Sequence, residues 1–222
     1  MSREILDQER QDKVAVVVKW ILDEELKSGI KLTVTYDVEQ AYKDADFIFA
    51  QMRVGKYALR EMDEKIPLKY GLVGQETTGA GGMMKAFRTI PVMLELAHAM
   101  EEVAPDGWIV NYTNPTGLIT EAVTRYSKAK IAGFCSGGIF PKMWAKKALG
   151  VPYKSVQYDY VGLNHLNFMS NITIDGRQIT EEEFLAIARK NVSLDLDLMK
   201  LLGVIPSPYL QYFYQTREKV QK

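Results

Sequence analysis

Asn111-Tyr-Thr-Asn-Pro-Thr-Gly117 decides how this chain is read. The apolar run Trp108-Ile109-Val110 before it has the composition of a buried strand, and Asn114-Pro115 forces a turn. A helix is expected from near Gly117. A second cycle follows at once: strand-like Lys130 to Phe134, then Cys135-Ser-Gly-Gly138, then a helical pattern from Ile139 to Leu149. In an open α/β sheet, ligands sit beyond the carboxyl ends of the strands. Asn114 and Cys135 both fall at such an end.

Outward from this pair of cycles the pattern continues. Residues from about Gln8 to Ser28 read as one helix with Val14, Val17, Val18, Ile21 and Leu22 on a face, stopped by Gly29. Ile30, Leu32, Val34 and Tyr36 alternate as in a strand. Asp37 is placed to cap a short helix to Lys43, and Asp46 to Gln51 is a mostly apolar strand. A helix from about Tyr57 to Asp63 is followed by a long loop holding Gly71, Gly74, Gly79, Gly81 and Gly82. Met83 to Val103 is helical in pattern, broken at Pro91. Ser155 to Val161 and Asn167 to Ile174 read as paired strands with Asp175-Gly176 as a turn. Thr180-Glu-Glu-Glu183 has the spacing of a capping box, and a last helix begins near Pro208.

Strands alternating with helices give an α/β class: a Rossmann-like parallel sheet with an appended mixed α+β portion. The sheet reads as truncated. A dinucleotide-binding sheet opens with a strand and a Gly-rich turn, whereas this chain opens almost directly on a helix and contains no G-x-G-x-x-G. Residues 1–150 form the expected truncated dinucleotide-binding domain. Residues 151–222 begin the appended mixed portion, for which the family resemblance given below implies substrate and metal binding and oligomerisation.

Charge and apolar content exclude several classes of partner. Lysine plus arginine equals aspartate plus glutamate at 28 each, which gives no field to attract nucleic acid or an anionic membrane. No apolar run approaches the ~18 residues of a membrane span, and the polar first ten residues lack a signal-peptide core. One cysteine forms no internal disulfide, so a reducing, cytoplasmic location is expected.

That cysteine, Cys135, is by default a small buried hydrophobe, but its place after a strand also suits a thiolate ligand for a borderline metal ion. His165, in Gly162-Leu-Asn-His-Leu166, is one of two histidines; the other, His98, sits in a helical pattern. Cys135 and His165 together could hold a metal and leave its remaining positions to substrate and water, as open catalytic sites do. Arg53, Arg60, Lys65 and Lys69 read either as a solvated face or as recognition of an anionic substrate. The segment 74–82 lacks the G-K-[ST] ending of a P-loop, which argues against ATP chemistry. Tyr209 is, by spacing alone, an ordinary aromatic on a helix face.

Taken together, Ala45-Asp-Phe, Met52-Arg-Val-Gly55, Asp63-Glu-Lys-Ile-Pro-Leu-Lys-Tyr-Gly71, Gly74-Gln-Glu-Thr77 and Gly79-Ala-Gly-Gly82 form an ordered set. Arg88-Thr-Ile-Pro91, Asn111-Tyr-Thr-Asn-Pro115, Gly162-Leu-Asn-His165 and Pro208-Tyr-Leu-Gln-Tyr212 extend it. In that order they resemble the NAD- and manganese-dependent family 4 glycoside hydrolases, specifically the 6-phospho-glucosidases. The resemblance implies hydrolysis by an oxidation–elimination route, an exception among glycosidases. The sugar C3 hydroxyl would be oxidised by NAD, a tyrosine would take the C2 proton, and the aglycone would leave by elimination, assisted by Mn2+ or another divalent metal.

Carried over residue by residue, Cys135 and His165 match the metal ligands and Asn114 the substrate-binding asparagine. Arg60 matches an arginine near the sugar or its phosphate; Arg53 and Glu76 lie in matched motifs, with Arg53 placed among the substrate-binding groups. Tyr209 matches the tyrosine base. A free tyrosine titrates near ~10, so a metal or cation must lower it. Asp7 matches the acidic ribose-binding position. The chain departs from the family in having Ser136 where aspartate or asparagine follows the cysteine, in lacking the first strand and its Gly-rich turn, and in running to about half the family length. It therefore reads as an internal fragment.

Gly79-Ala-Gly-Gly82, Arg88-Thr-Ile-Pro91 and Asp175-Gly176 favour a 6-phospho-β-glucosidase. Met52-Arg-Val-Gly-Lys-Tyr57 fits the 6-phospho-α-glucosidases, which stay as the alternative beside a non-catalytic fragment that keeps metal, sugar-phosphate or subunit binding. The implied partners are a phosphorylated disaccharide or glucoside and further copies of the chain, as a dimer or tetramer.

Overall fold

The computed structural model describes residues 8–191 and 194–221. The chain divides into two compact units. One holds the described residues up to Ile66 together with Gly74–Phe134; the other holds Pro67–Val73 and the residues from Cys135 onward.

The first unit is built on three parallel strands, β1 (Phe47–Ala50), β2 (Trp108–Asn111) and β3 (Lys130–Gly133), in the order β1-β2-β3. Ile48 pairs with Ile109 and Ile109 with Ile131, so the central strand lies between two apolar neighbours, and Ile109 is fully buried. Preceding the sheet are α1 (Gln8–Trp20), which runs on through a wider turn at Ile21–Glu25, and α2 (Val38–Tyr42). Asp37 caps α2, its Oδ1 accepting from the backbone N–H groups of Glu39 (2.9 Å) and Gln40 (3.3 Å). Between β1 and β2 come α3 (Lys56–Leu68) and α4 (Gly79–Val103); α5 (Thr116–Tyr126) joins β2 to β3. Met93, Leu96, Ala97 and Met100 of α4 and Ile119 and Val123 of α5 pack with Ile109 to form the core.

Several expectations for this unit are corrected. Ile30 to Tyr36 is not a strand: the alternation is present, but Ile30, Leu32 and Val34 are all exposed and no described strand pairs with the segment. Alternation makes a strand only where a neighbour takes its hydrogen bonds. The α1 apolar face is likewise unburied. Pro91 does not break α4, because Thr89, Val92, Met93 and Leu96 are all buried around it and hold the helical path. The glycine-rich loop is shorter than expected, since α3 continues to Leu68 and α4 already begins at Gly79.

In the second unit a short 3-10 turn, Ser136–Ile139, leads into α6 (Phe140–Leu149). Strands β4 (Val156–Leu163) and β5 (Leu166–Ile174) pair antiparallel; β6 (Arg177–Gln178) and β7 (Ile205–Pro206) both add to β5. Four short helices, α7 (Glu181–Ala188), α8 (Leu196–Leu202), α9 (Gln211–Tyr214) and α10 (Thr216–Val220), complete it. Val156, Ile172, Ile174, Ile187, Met199 and Ile205 form its core with Ala145 of α6. Asp175-Gly176, with φ of 50° and 79°, makes the expected turn after the second strand and leads β5 into β6. The β4–β5 reversal is made by Asn164-His165, since Leu163 pairs directly with Leu166. Thr180 and Glu183 do form a capping box on α7.

Candidate functional site

His165 occupies the second position of that tight reversal and takes the left-handed conformation, φ 65°. Such a backbone is uncommon for a residue with a side chain, and histidine is among those that tolerate it. Gly162 makes the turn possible from the other side. A Cβ there would stand 2.9 Å from Asn167 Cα, so the hairpin closes only around glycine. The turn aims a buried imidazole, 6% exposed, at Cys135: Nε2 lies 3.5 Å from Sγ. Two ligands at about 2.3 and 2.1 Å from one tetrahedral ion would stand about 3.5 Å apart. Sulfur and nitrogen therefore have the spacing of ligands to a shared ion. Burial pushes the His165 pKa down, which keeps the imidazole neutral and able to ligate.

The Cys135 end of the pair is fixed by backbone. Sγ accepts from the Gly137 N–H at 3.4 Å, and Tyr158 of β4 donates its hydroxyl to the Gly138 carbonyl. Among the described residues no three His, Cys, Asp or Glu side chains converge to hold an ion. Cys135 and His165 thus stand as a pair of donor atoms with the spacing of two metal ligands.

Tyr209 lies flat on the other side of His165, ring centroids 3.6 Å apart and planes within 5°. Its position follows from β7. Ile205 and Pro206 pair with Met169 and Phe168 of β5, the Ser207 N–H donates to the Asn167 carbonyl (2.8 Å), and the chain then turns through Pro208–Leu210. Cys135, His165 and Tyr209 are therefore brought into one cluster by a loop, a hairpin turn and a short turn of the same unit. Nothing in the spacing of Tyr209 along its own segment signals this; the pairing of β7 with β5 creates it.

In the first unit, Asn114 follows the end of β2. Asn111, fully buried, accepts from the Thr113 N–H through Oδ1 (2.9 Å), and Thr113 in turn binds the end of β1. Its hydroxyl donates to the Ala50 carbonyl (3.2 Å) and accepts from the Met52 N–H (3.0 Å). The Asn114–Pro115 peptide is cis. Thr116 donates its hydroxyl to Asn114 Oδ1 (3.1 Å), which fixes the amide and leaves its N–H donors for another partner. Where β3 ends, Gly133 lets α5 approach, because a Cβ would meet Thr116 Cγ2 at 2.6 Å.

Arg53 and Arg60 gather around Glu76, where Oε2 accepts from Arg53 Nη1 at 2.6 Å and lies 3.5 Å from Arg60 Nε. Arg60 also binds Glu64 at 2.8 Å. Lys65 is instead tied to Glu61 along its own helix. Lys85, which the sequence hides among ordinary helix residues, reaches the same Glu76 oxygen at 3.0 Å. Burial would raise the Glu76 pKa, but the hydrogen bonds from Arg53 and Lys85 outweigh it and hold the carboxyl below its usual range.

A cavity of about 540 Å3 opens beyond the carboxyl end of β1, lined by Arg10, Gln11 and Val14 of α1 and by the 51–57 segment with Arg53, Lys56 and Tyr57. Its volume lies within the roughly 300–1,000 Å3 of ligand pockets. Its cations and amides suit an anionic ligand with a polar edge. Asp7, the expected ribose-binding residue, lies outside the described residues.

Residues 5–151 match the family 4 glycosyl hydrolases, and residues 160–222 match that family's C-terminal domain. The chain is 42% identical over 208 residues to a probable 6-phospho-beta-glucosidase of Bacillus subtilis, covering 88% of this chain and 47% of that protein. It is 40% identical over 171 residues to 6-phospho-alpha-glucosidase 1 of Lacticaseibacillus paracasei, covering 75% of this chain and 38% of the other. The solved 6-phospho-beta glucosidase of Thermotoga maritima with manganese, NAD+ and glucose-6-phosphate superimposes with a TM-score of 0.84 at 32% identity. That match covers 97% of this chain and 52% of the solved one. The chain spans about half the length of the Bacillus subtilis and Thermotoga maritima proteins and matches 38% of the Lacticaseibacillus paracasei one. The matched families cover both described units, and the chain belongs to family 4 of the glycosyl hydrolases.

Proposed function

We propose that this chain serves the hydrolysis of 6-phospho-β-glucosides by an NAD-dependent oxidation–elimination reaction assisted by a divalent metal. The observation that carries the reading is the cluster in which Cys135 Sγ and His165 Nε2 stand 3.5 Å apart under the ring of Tyr209. When bound, a divalent ion would supply Lewis acidity at that corner, and NAD would supply a hydride acceptor. The rest of the work falls to the chain. His165, kept neutral by burial, ligates and does not compete as an acid. Tyr209 Oη takes the proton from the sugar C2 position. Asn114 offers its amide N–H donors to a sugar hydroxyl, and Arg53 and Arg60 meet the 6-phosphate through guanidinium forks. We assign the dinucleotide to the first unit, where the cavity beyond β1 suits its anionic part, with Asp7 on the ribose.

The β-anomer is favoured because the match to the Bacillus subtilis protein extends over more of the chain than the match to the α-type relative. The α-anomer is the second reading, supported by the 40% identity to that relative. Among the described residues no helix is long and apolar enough to cross a membrane. A cytoplasmic enzyme assembled as a homodimer or homotetramer completes the reading.

The test is an assay of the 222-residue chain with chromogenic β- and α-glucoside 6-phosphates, NAD+ and Mn2+, with Cys135→Ser as control. Cleavage of the β-anomer that needs both cofactors and disappears in the variant supports the reading. Faster cleavage of the α-anomer transfers it to the second; cleavage by Cys135→Ser at the wild-type rate defeats both.

A further inference from the structure

One carboxylate oxygen serves three cations in the first unit. Glu76 Oε2 lies 2.6 Å from Arg53, 3.0 Å from Lys85 and 3.5 Å from Arg60. The three are not equivalent. The side chains of Arg53 and Arg60 are 31% and 36% exposed, whereas that of Lys85 is 3% exposed. A buried ammonium needs a counter-charge, and Glu76 is the carboxylate within ion-pair reach of Lys85 among the described residues. With Glu64 on Arg60, three cations meet two carboxylates, so the cluster keeps a net positive charge.

The backbone is shaped to deliver Glu76 to this place. Gly81 and Gly82 open α4, and the Gln75–Thr77 segment lies directly on them. A Cβ on Gly81 would stand 2.5 Å from the Gln75 carbonyl oxygen, and one on Gly82 would stand 2.5 Å from the Thr77 carbonyl carbon. Gln75 holds the segment from its own end, its Oε1 accepting from the N–H groups of Thr77 (2.6 Å) and Thr78 (2.7 Å). Glu76 is left with its carboxylate 3.0 Å from the Lys85 ammonium.

We propose that Lys85 is a positioning residue for anion recognition: by sharing Glu76 Oε2 with Arg53 it takes up part of the carboxylate's charge and leaves Arg53 and Arg60 incompletely neutralised toward an incoming phosphate. This rests on the reading above that the two arginines meet a 6-phosphate. Without Lys85, the full charge of Glu76 falls on the arginines, and the carboxylate that already binds Arg53 at 2.6 Å competes more strongly with an anion. Without Glu76, all three cations face the anion. Lys85 itself, buried, need not touch the ligand.

The test is calorimetric titration of the full chain with inorganic phosphate at low ionic strength, where such interactions are least screened. The variants are Lys85→Met, Glu76→Gln and the double substitution, each checked for folding by thermal unfolding. Lys85→Met is expected to weaken phosphate binding about tenfold, a plausible size for one redistributed charge at this range. The double variant is expected to recover to within about threefold of the wild type, because the competing carboxylate is gone. A packing role for Lys85 would not be rescued by removing Glu76. Should Glu76→Gln fail to fold, Lys85→Met and the double variant carry the comparison.

Unchanged binding in Lys85→Met, a double variant as weak as Lys85→Met, or no phosphate binding by any form overturns the inference. If the expected order holds but glucose 6-phosphate binds no tighter than inorganic phosphate, the inference stands and the sugar-phosphate reading fails. In turnover assays Lys85→Met should raise KM for the phosphorylated glucoside and leave kcat near the wild-type value.

Discussion

Tyr209 and His165 lie face to face, centroids 3.6 Å apart and planes 5° from parallel. The residue assigned to proton abstraction thus also forms one wall of the residue assigned to hold the metal. Stacking restricts the imidazole to the plane that points Nε2 at Cys135, as outer contacts commonly orient metal-bound histidines.

Two substitutions at 209 separate these roles. Tyr209→Phe keeps the ring and should leave Mn2+ affinity within about threefold of the wild type while lowering turnover by roughly 10²–10⁴-fold. Tyr209→Ala removes the ring and should also weaken the metal by about tenfold. Titration of free Mn2+ by electron paramagnetic resonance reads the first quantity, and the chromogenic assay the second. Equal metal affinity in both variants would remove the orienting role.

Cys135→Ser replaces a soft thiol, proposed above as a metal ligand, by a hydroxyl that stays protonated at neutral pH. Mn2+ affinity should fall by about 100-fold or more, with the melting temperature of the apo-protein little changed. Soft ions such as Cd2+ should lose more than Mn2+, a contrast that a simple loss of packing would not produce.

Gly82→Ala and Gly117→Ala make a matched pair. At Gly82 the added carbon meets the Thr77 backbone, and the substitution should destabilise by about 2 kcal/mol or more. At Gly117, on α5, nothing lies within 4 Å of the new carbon, and alanine should stabilise by about 0.4–1 kcal/mol. Denaturant midpoints of the two variants should move in opposite directions.

The α7 capping box sets an acid limit. Arg177 donates to both oxygens of Glu183 (2.8 and 3.0 Å), and the Thr180 N–H adds a third bond (2.7 Å). Together these push the Glu183 pKa down from 4.5 to about 2. A carboxyl with a depressed folded-state pKa contributes stability in full above its unfolded value, and the contribution is lost as pH falls through the folded one. Thermal unfolding of Glu183→Gln should therefore show a deficit at neutral pH that closes between about pH 4.5 and pH 2.

The parts of the fold that were legible are those where local chemistry and tertiary neighbours agree. The Trp108–Asn111 strand, its Asn-Pro turn and α5 follow from an apolar run and a proline, and the packing of Ile109 and Ile119 in one core endorses the pattern. Asp37 and Thr180 announced their helices because a cap needs only its own few residues. Residues 30–36 misled because strand formation depends on a neighbour that the pattern of the segment itself does not encode. Cys135 and His165 could be paired as candidate ligands from their residue types, but their 3.5 Å approach depends on the Asn164-His165 reversal, which their spacing along the chain does not encode. Lys85 gave no signal at all, since a lysine in a helical pattern looks solvated until a loop is laid over it.

The bare faces of Gly81 and Gly82 carry a consequence for how this protein is mapped by mutation. Alanine scanning subtracts side chains and scores what is lost, so a contact made by two backbones passes through such a survey unseen. Here the seating of the Gln75–Thr77 segment on α4 would register only in an experiment that adds a single carbon. A library restricted to truncations would return this corner of the molecule as silent ground.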